Sequence, residues 1–151
     1  MKPDFSPLAG WRGCTCFELR KLTRTVTRLY DQHLAKTGLK TTQYSLLMHV
    51  KHAPMPVTQL AAAMGIERTT LTRNLKPLLD AGWITLETGA DPRQRIATIT
   101  VDGRDKVRSG RVAWRAAQDA LEQALGKEAV AGLHAGVDYS MERLLPLLEA
   151  E

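Results

Sequence analysis

Residues 57–100 read VTQLAAAMGIERTTLTRNLKPLLDAGWITLETGADPRQRIATIT, and the fold turns on how this stretch divides. Thr58 to Met64 is a short Ala-rich helical segment, Gly65 interrupts it, and Glu67 to Ala81 resumes as a second helix closed by Gly82. Helices of that length about a Gly-containing turn predict a helix-turn-helix. Beyond Gly82 the period changes: Ile84, Leu86 and Thr88 alternate before GADPRQR, and Ile96, Thr98 and Thr100 alternate after it. The Gly, Asp and Pro between them supply a turn, so this part reads as a β-hairpin with a basic tip. Helix, turn, helix and hairpin in that order make a winged helix-turn-helix.

The faces of the second helix connect this shape with DNA. Leu71, Leu75, Leu78 and Leu79 recur at helical spacing and must face a core, which leaves Arg68, Thr69, Thr70, Thr72, Arg73 and Lys76 outward. Short hydroxyls, whose methyls can touch thymine, and long cations suit a major groove. A solvated basic face on an ordinary amphipathic helix is the competing reading, and such shapes also serve as protein-interaction modules without DNA affinity. Arg93 and Arg95 at the hairpin tip favour DNA, because a second basic element beside the helix reaches an adjacent groove. Within the second helix, Pro77 removes the hydrogen bond to the Arg73 carbonyl and should curve the helix without breaking it.

LAAAMGIERTTLTRNLKPLLDAGWI followed by DPRQRIATITVDGR resembles the MarR family of bacterial transcription regulators. The family's Asp-x-Arg wing motif falls on Asp91, Pro92 and Arg93, and its Thr-x-x-Gly on Thr100 to Gly103. The resemblance runs from about Cys14 to the C-terminus and is strongest between Thr41 and Arg104. It implies a single MarR-like domain over residues 1–151: a winged-helix module at 42–100, with dimerisation helices at 14–37 and 101–151. The fold class is mainly α with a small β-wing.

The flanks read as long helices. Residues 1–13, rich in Pro and Gly, read as an irregular arm; from about Cys14, Leu19, Leu22, Val26, Leu29 and His33 or Leu34 step by three and four residues until Gly38. Thr42 to His52 follows behind a Thr cap and buries Leu46, Leu47 and Val50, after which Pro54 and Pro56 enforce a loop. Thr100 caps a helix from Val101 to Leu125 carrying Val107, Trp114, Leu121 and Leu125; Gly126 interrupts it. The last helix shows Val130, Leu133, Val137, Met141, Leu144 and Leu148. These stripes could pack on one another within one chain, yet they exceed what one small core requires, so they predict a homodimer. The resemblance implies the same, and a dimer sets its reading heads about one DNA turn apart.

Composition bounds the rest. One domain's length of 151 residues, with 25% charged and 44% hydrophobic residues, is globular, and no apolar run is long enough to cross a membrane. No secretory signal is visible in Met1 to Gly13, so a cytoplasmic protein is expected. The net charge of +5 suits a polyanion, but its location is uneven: residues 1–40 hold eight Lys and Arg against three Asp and Glu, residues 65–105 six against six. The reading head must therefore sort its charges locally, with Arg68, Arg73, Lys76, Arg93 and Arg95 on one surface and Asp80, Glu87 and Asp105 elsewhere. No motif for a nucleophile, a phosphate loop or a cofactor is visible, so neither an enzyme nor a cofactor is expected.

Cys14 and Cys16 flank Thr15 at the first helix's start. Two residues apart on a helix they point to nearly opposite sides, so a bond between them would require that start to unwind. The helix N-terminus and Arg20 would both favour a Cys16 thiolate. Cys16, Phe17 and Leu19 resemble the Cys-Phe-x-Leu of the OhrR-type organic-hydroperoxide sensors within the MarR family. That resemblance puts Tyr30 where those sensors bond the reactive cysteine across the dimer, and Thr41 where they carry a second tyrosine. His33, His49, His52 and His134 show no convincing metal pattern, and no metal is expected. The family's commonest signal is a small aromatic or phenolic effector. The sequence thus reads as a repressor that binds a pseudo-palindromic operator in double-stranded DNA as a homodimer and is released by a small molecule or by thiol oxidation.

Overall fold

The computed structural model describes residues 13–149. Helix α1 (Thr15–Leu34) passes through a single 3₁₀ turn (Ala35–Thr37) to Gly38, whose φ of 73° is left-handed. Helix α2 (Thr41–Val50), strand β1 (Met55–Pro56), helix α3 (Val57–Met64) and helix α4 (Arg68–Asp80) follow. Strands β2 (Ile84–Thr88) and β3 (Arg95–Ile99) form the hairpin, and helices α5 (Val101–Leu125) and α6 (Lys127–Glu149) complete the described chain. The expected arm falls mostly outside the described residues.

The chain forms two compact units, one up to Trp114 and one from Arg115. The first holds the core. Leu34, Leu46, Leu47, Leu60, Leu71 and Leu78 are all but sealed from solvent, and Ile84, Ala97, Ile99 and Val107 join the same cluster. Burial at that depth stabilises each leucine by about 1.5–3 kcal/mol relative to leaving it exposed. The second unit is the end of α5 together with α6; along α6, Leu133, Val137, Met141, Leu144 and Leu148 are all exposed.

The local corrections are physical. Pro54 and Pro56 do not simply enforce a loop: Met55 and Pro56 pair antiparallel with Ala97 and Ile96, making the sheet order β1-β3-β2. An edge position tolerates proline because its missing N–H is not needed there. Helix α2 starts at Thr41 with Lys40 at the N-cap, so no threonine caps it. Asp31 of α1 instead accepts from the Thr41 backbone N–H at 2.7 Å and its hydroxyl at 2.6 Å, and Gln43 accepts from Lys40 N–H. A carboxylate at a helix start satisfies unpaired amides and meets the positive end of the helix dipole. Helix α4 runs unbroken through Pro77.

The glycine of the Thr100-to-Gly103 segment has a steric cause. Thr100 Oγ1 donates to the Gly82 carbonyl at 2.7 Å and accepts from Gly103 N–H at 3.1 Å, capping α5 as expected. A Cβ at residue 103 would collide with the Trp83 carbonyl oxygen and stand 2.8 Å from Ile99. Gly110, two turns on, allows an equally close approach: a Cβ there would lie 2.8 Å from the Tyr44 ring and 3.0 Å from Leu39.

Candidate nucleic-acid interface

Helices α3 and α4 meet at Gly65, whose φ of 63° needs a residue without Cβ strain. Ile66 N–H reaches back to the Ala61 carbonyl at 3.1 Å, so the turn is closed by backbone alone. With Leu71, Leu75 and Leu78 buried, the outward face of α4 carries Arg68, Thr69, Thr72, Arg73 and Lys76 exposed, with Thr70 half-buried at the edge. The face expected from the sequence is therefore the face presented.

Two of its side chains are already engaged. Thr72 Oγ1 donates to the Arg68 carbonyl at 2.9 Å, which turns its hydroxyl hydrogen inward on the helix; the hydroxyl retains acceptor capacity. Lys76 Nζ stands 2.8 Å from Asp80. Asp80 therefore does not lie apart from the basic surface, as its sequence position suggested; one helical turn brings it onto Lys76. Both groups are exposed, so the pair is weak and an arriving phosphate can compete for the ammonium.

Helix α4 ends in a double closure. Gly82 N–H donates to the Leu79 carbonyl at 3.0 Å and Trp83 N–H to the Leu78 carbonyl at 2.9 Å, with Gly82 left-handed at φ 70°. The chain leaves that closure directly into β2, paired with β3 from Ile84–Ile99 to Thr88–Arg95. At the tip, Asp91 Oδ1 accepts from Arg93 N–H at 2.9 Å, and the Asp91 carbonyl accepts from Gln94 N–H at 2.9 Å. Asp91 thus shapes the turn through the backbone. Gly89 N–H closes the loop on the Gln94 carbonyl at 2.9 Å. Arg93 is exposed beyond this turn, while Arg95 donates to Thr88 Oγ1 at 3.1 Å across the hairpin. The structure therefore gathers the cations of the reading head onto one helix face and one hairpin.

The remaining sequence candidates lie on α1. Cys14 is the extended residue just before the helix, Cys16 lies in its first turn, and both are exposed free thiols. Tyr30 is buried further along the same helix. His33 and His49 each place Nδ1 within 2.9 Å of a carbonyl of their own helix, on Leu29 and Ser45. No group of three or more His, Cys, Asp or Glu among the described residues is arranged to hold a metal. No helix among them is long and apolar enough to cross a membrane.

What sequence reasoning missed is the brace behind the interface. Arg104 donates to the Lys51 carbonyl at 2.9 Å, and Lys106 Nζ donates to the Thr37 carbonyl at 2.6 Å while standing 4.9 Å from the centre of the Trp83 ring. Single cations on a helix surface give no signal in sequence of what they will reach.

Comparison with known proteins gives a consistent picture. A profile of the MarR family matches residues 37–95. The chain is 29% identical over 139 residues to the HTH-type transcriptional regulator PetP of Rhodobacter capsulatus, covering 88% of this chain and 81% of PetP. It is 24% identical over 90 residues to the HTH-type transcriptional regulator YwoH of Bacillus subtilis, covering 59% of this chain and 66% of YwoH, just short of two thirds of that protein's length. Among solved structures it is similar to the M. tuberculosis transcriptional regulator MosR in complex with DNA. The TM-score is 0.70 at 31% identity, covering 84% of this chain and 98% of MosR.

Proposed function

We infer from the chain's membership of the MarR family that it is a DNA-binding transcription regulator, with α4 as its major-groove helix and the β2–β3 hairpin as its wing. The observation that carries this reading is the pairing of an outward basic and hydroxyl face on α4 with a turn that projects Arg93 from the hairpin tip. Thr69, Thr70, Thr72 and Arg73 then contact base edges or nearby phosphates. Arg68 and Lys76 flank them, and Arg93, with Arg95 braced behind it, takes the minor groove. That MosR, 31% identical, was solved in complex with DNA supports duplex DNA as the partner of this surface.

The regulator acts in the cytoplasm as a homodimer, with residues 14–37 and 101–151 as its dimerisation segments and 42–100 as its DNA-binding module. The exposed apolar stripe of α6 supports that assembly, because exposed apolar residues in such a continuous row mark an interaction surface. Its target is a pseudo-palindromic operator and its effect is repression. Release follows from a chemical signal, either a small aromatic or phenolic effector or oxidation of Cys16. The exposure of Cys16 in the first turn of α1 supports the thiol route, since an accessible sulfur can be oxidised to a sulfenic acid and on to a disulfide.

The test is binding of the purified protein to mixed genomic duplex fragments across a salt series. Phosphate neutralisation makes affinity fall steeply with ionic strength, so no binding even at low salt would leave the module to protein partners. With an operator in hand, peroxide should release wild type but not Cys16→Ser, and a reductant should restore binding. Equal release of both, or of neither, assigns the signal to a bound small molecule.

A further inference from the structure

Trp83 is the joint between the recognition helix and the wing. Its backbone N–H closes the end of α4 on the Leu78 carbonyl at 2.9 Å, and its carbonyl accepts the Thr100 N–H at 3.0 Å where β3 ends. Any rotation about this residue changes the angle between α4 and the hairpin. The backbone bonds fix the ends of the joint, and the half-buried indole packs against the hydrophobic core.

Helix α5 holds it. Gly103 brings the first turn of α5 against the Trp83 carbonyl, and Gly110 brings the third turn against Tyr44 and Leu39. Lys106 stands between these notches on the same side of the helix, and its ammonium has two partners at once. It donates to the Thr37 carbonyl at 2.6 Å, in the turn that joins α1 to α2, and lies 4.9 Å from the centre of the Trp83 ring. A half-buried ammonium between a carbonyl and an indole face gains from both, because the ring quadrupole attracts a cation most when water is thinned around it. Gly38, beside this contact, would bring a Cβ to 3.6 Å from the ammonium.

We propose that Lys106 is a positioning residue of the reading head, which clamps the Trp83 indole against the Thr37 carbonyl and thereby fixes the angle between α4 and the wing. That angle sets the distance between Arg73 on the helix and Arg93 at the hairpin tip, and so decides whether both can contact one duplex. The inference rests on the DNA-binding reading above for its consequence, but the clamp itself belongs to the free protein. Lys106 acts on the duplex only through Trp83.

Lys106→Met keeps the stem and removes the ammonium. Hydrogen exchange in the unliganded full-length protein should then speed up along β2 and β3 and at Thr100, with α2 and α3 unchanged. Unchanged exchange in the hairpin would overturn the proposal whether or not the protein binds DNA. On a duplex selected from genomic fragments by the wild type, the same variant should bind about tenfold more weakly, the scale of coupling within one contact network. Its salt slope should fall by about one unit, because Arg93 no longer reaches its phosphate. Adding Arg93→Ala should then cost little more, whereas penalties that simply multiply would overturn the proposal. Lys106→Arg keeps a cation over the ring and should restore both readouts. Should Lys106→Met fail to fold, Trp83→Leu removes the ring and leaves the Thr37 bond, and must give the same pattern. A wild type that binds no duplex defeats the DNA reading, while the exchange experiment still decides the clamp.

Discussion

Helices α4 and α6 are written in the same code and meet opposite fates. Each spaces apolar residues by three and four, yet Leu71 and Leu78 of α4 are 0% exposed whereas Leu144 and Leu148 of α6 are 55% and 77% exposed. Periodicity therefore states that a helix has an apolar side and is silent about what covers it. For α4 the cover is the core of its own chain. For α6 the cover we propose is a second copy of the chain.

The most severe way to break this contrast is to charge the stripe. Leu144→Asp should yield monomers and lower operator affinity by about a thousandfold, the usual gap between specific and non-specific binding. Leu29→Asp, from the half-buried apolar side of α1, should do the same or unfold the chain. Sedimentation showing an unaltered dimer for both would move the interface elsewhere. Changes on the reading head should leave assembly intact. Arg73→Ala should cost about 1–3 kcal/mol with relaxed base preference if it reads a base. Arg93→Ala should weaken binding to many sequences and flatten the salt slope by about one unit. Both substitutions silent on the selected operator would mean that the docking face is misassigned.

Glycines sharpen the same comparison. Gly103 lies against the Trp83 carbonyl, while Gly132 of α6, away from the stripe, has nothing within 4 Å of a built Cβ. Gly103→Ala must push α5 off the hairpin root and should destabilise by about 1–3 kcal/mol, the cost of overpacking. Gly132→Ala should instead stabilise by about 0.5–1 kcal/mol, because glycine in an open helix carries only its entropy penalty. Thermal melts showing equal effects at the two positions would refute the claim that close approach requires Gly103.

These positions also mark how far the sequence could be read. The winged module was legible because α4, β2 and β3 announce themselves by period and by the turn residues Gly82, Asp91 and Pro92. The MarR resemblance, drawn from the same residues, is matched by the family profile over 37–95. Strand β1 was not legible, since a stretch of two residues has no period and its prolines argue for a loop. The local rule for helix starts points to a threonine cap on α2, whereas the acceptor is Asp31, ten residues earlier on another helix. Lys76 with Asp80 was a pair at a helical spacing that could have been read. The Lys106 clamp could not, because nothing in a lone lysine, a lone tryptophan and a turn carbonyl says that they meet.

The smallest expected effect separates the core from the stripe by pH. Tyr44 is buried in the first unit against the site of Gly110, and that burial pushes its phenol above the ordinary value of 10.0, with the Arg111 charge opposing the shift. A raised folded-state value means that the unfolded chain loses this proton first as pH climbs. The contribution of Tyr44 is therefore complete below pH 10.0 and is lost as pH rises through its higher folded value. Melting temperatures measured from neutral pH to beyond that point should fall for the wild type and fall less for Tyr44→Phe, which has no proton to lose. Tyr139→Phe, on the 59%-exposed side chain of α6, controls for losing a phenol in the other unit. Parallel alkaline profiles for wild type and Tyr44→Phe would show that the Tyr44 hydroxyl ionises alike in the folded and unfolded chain.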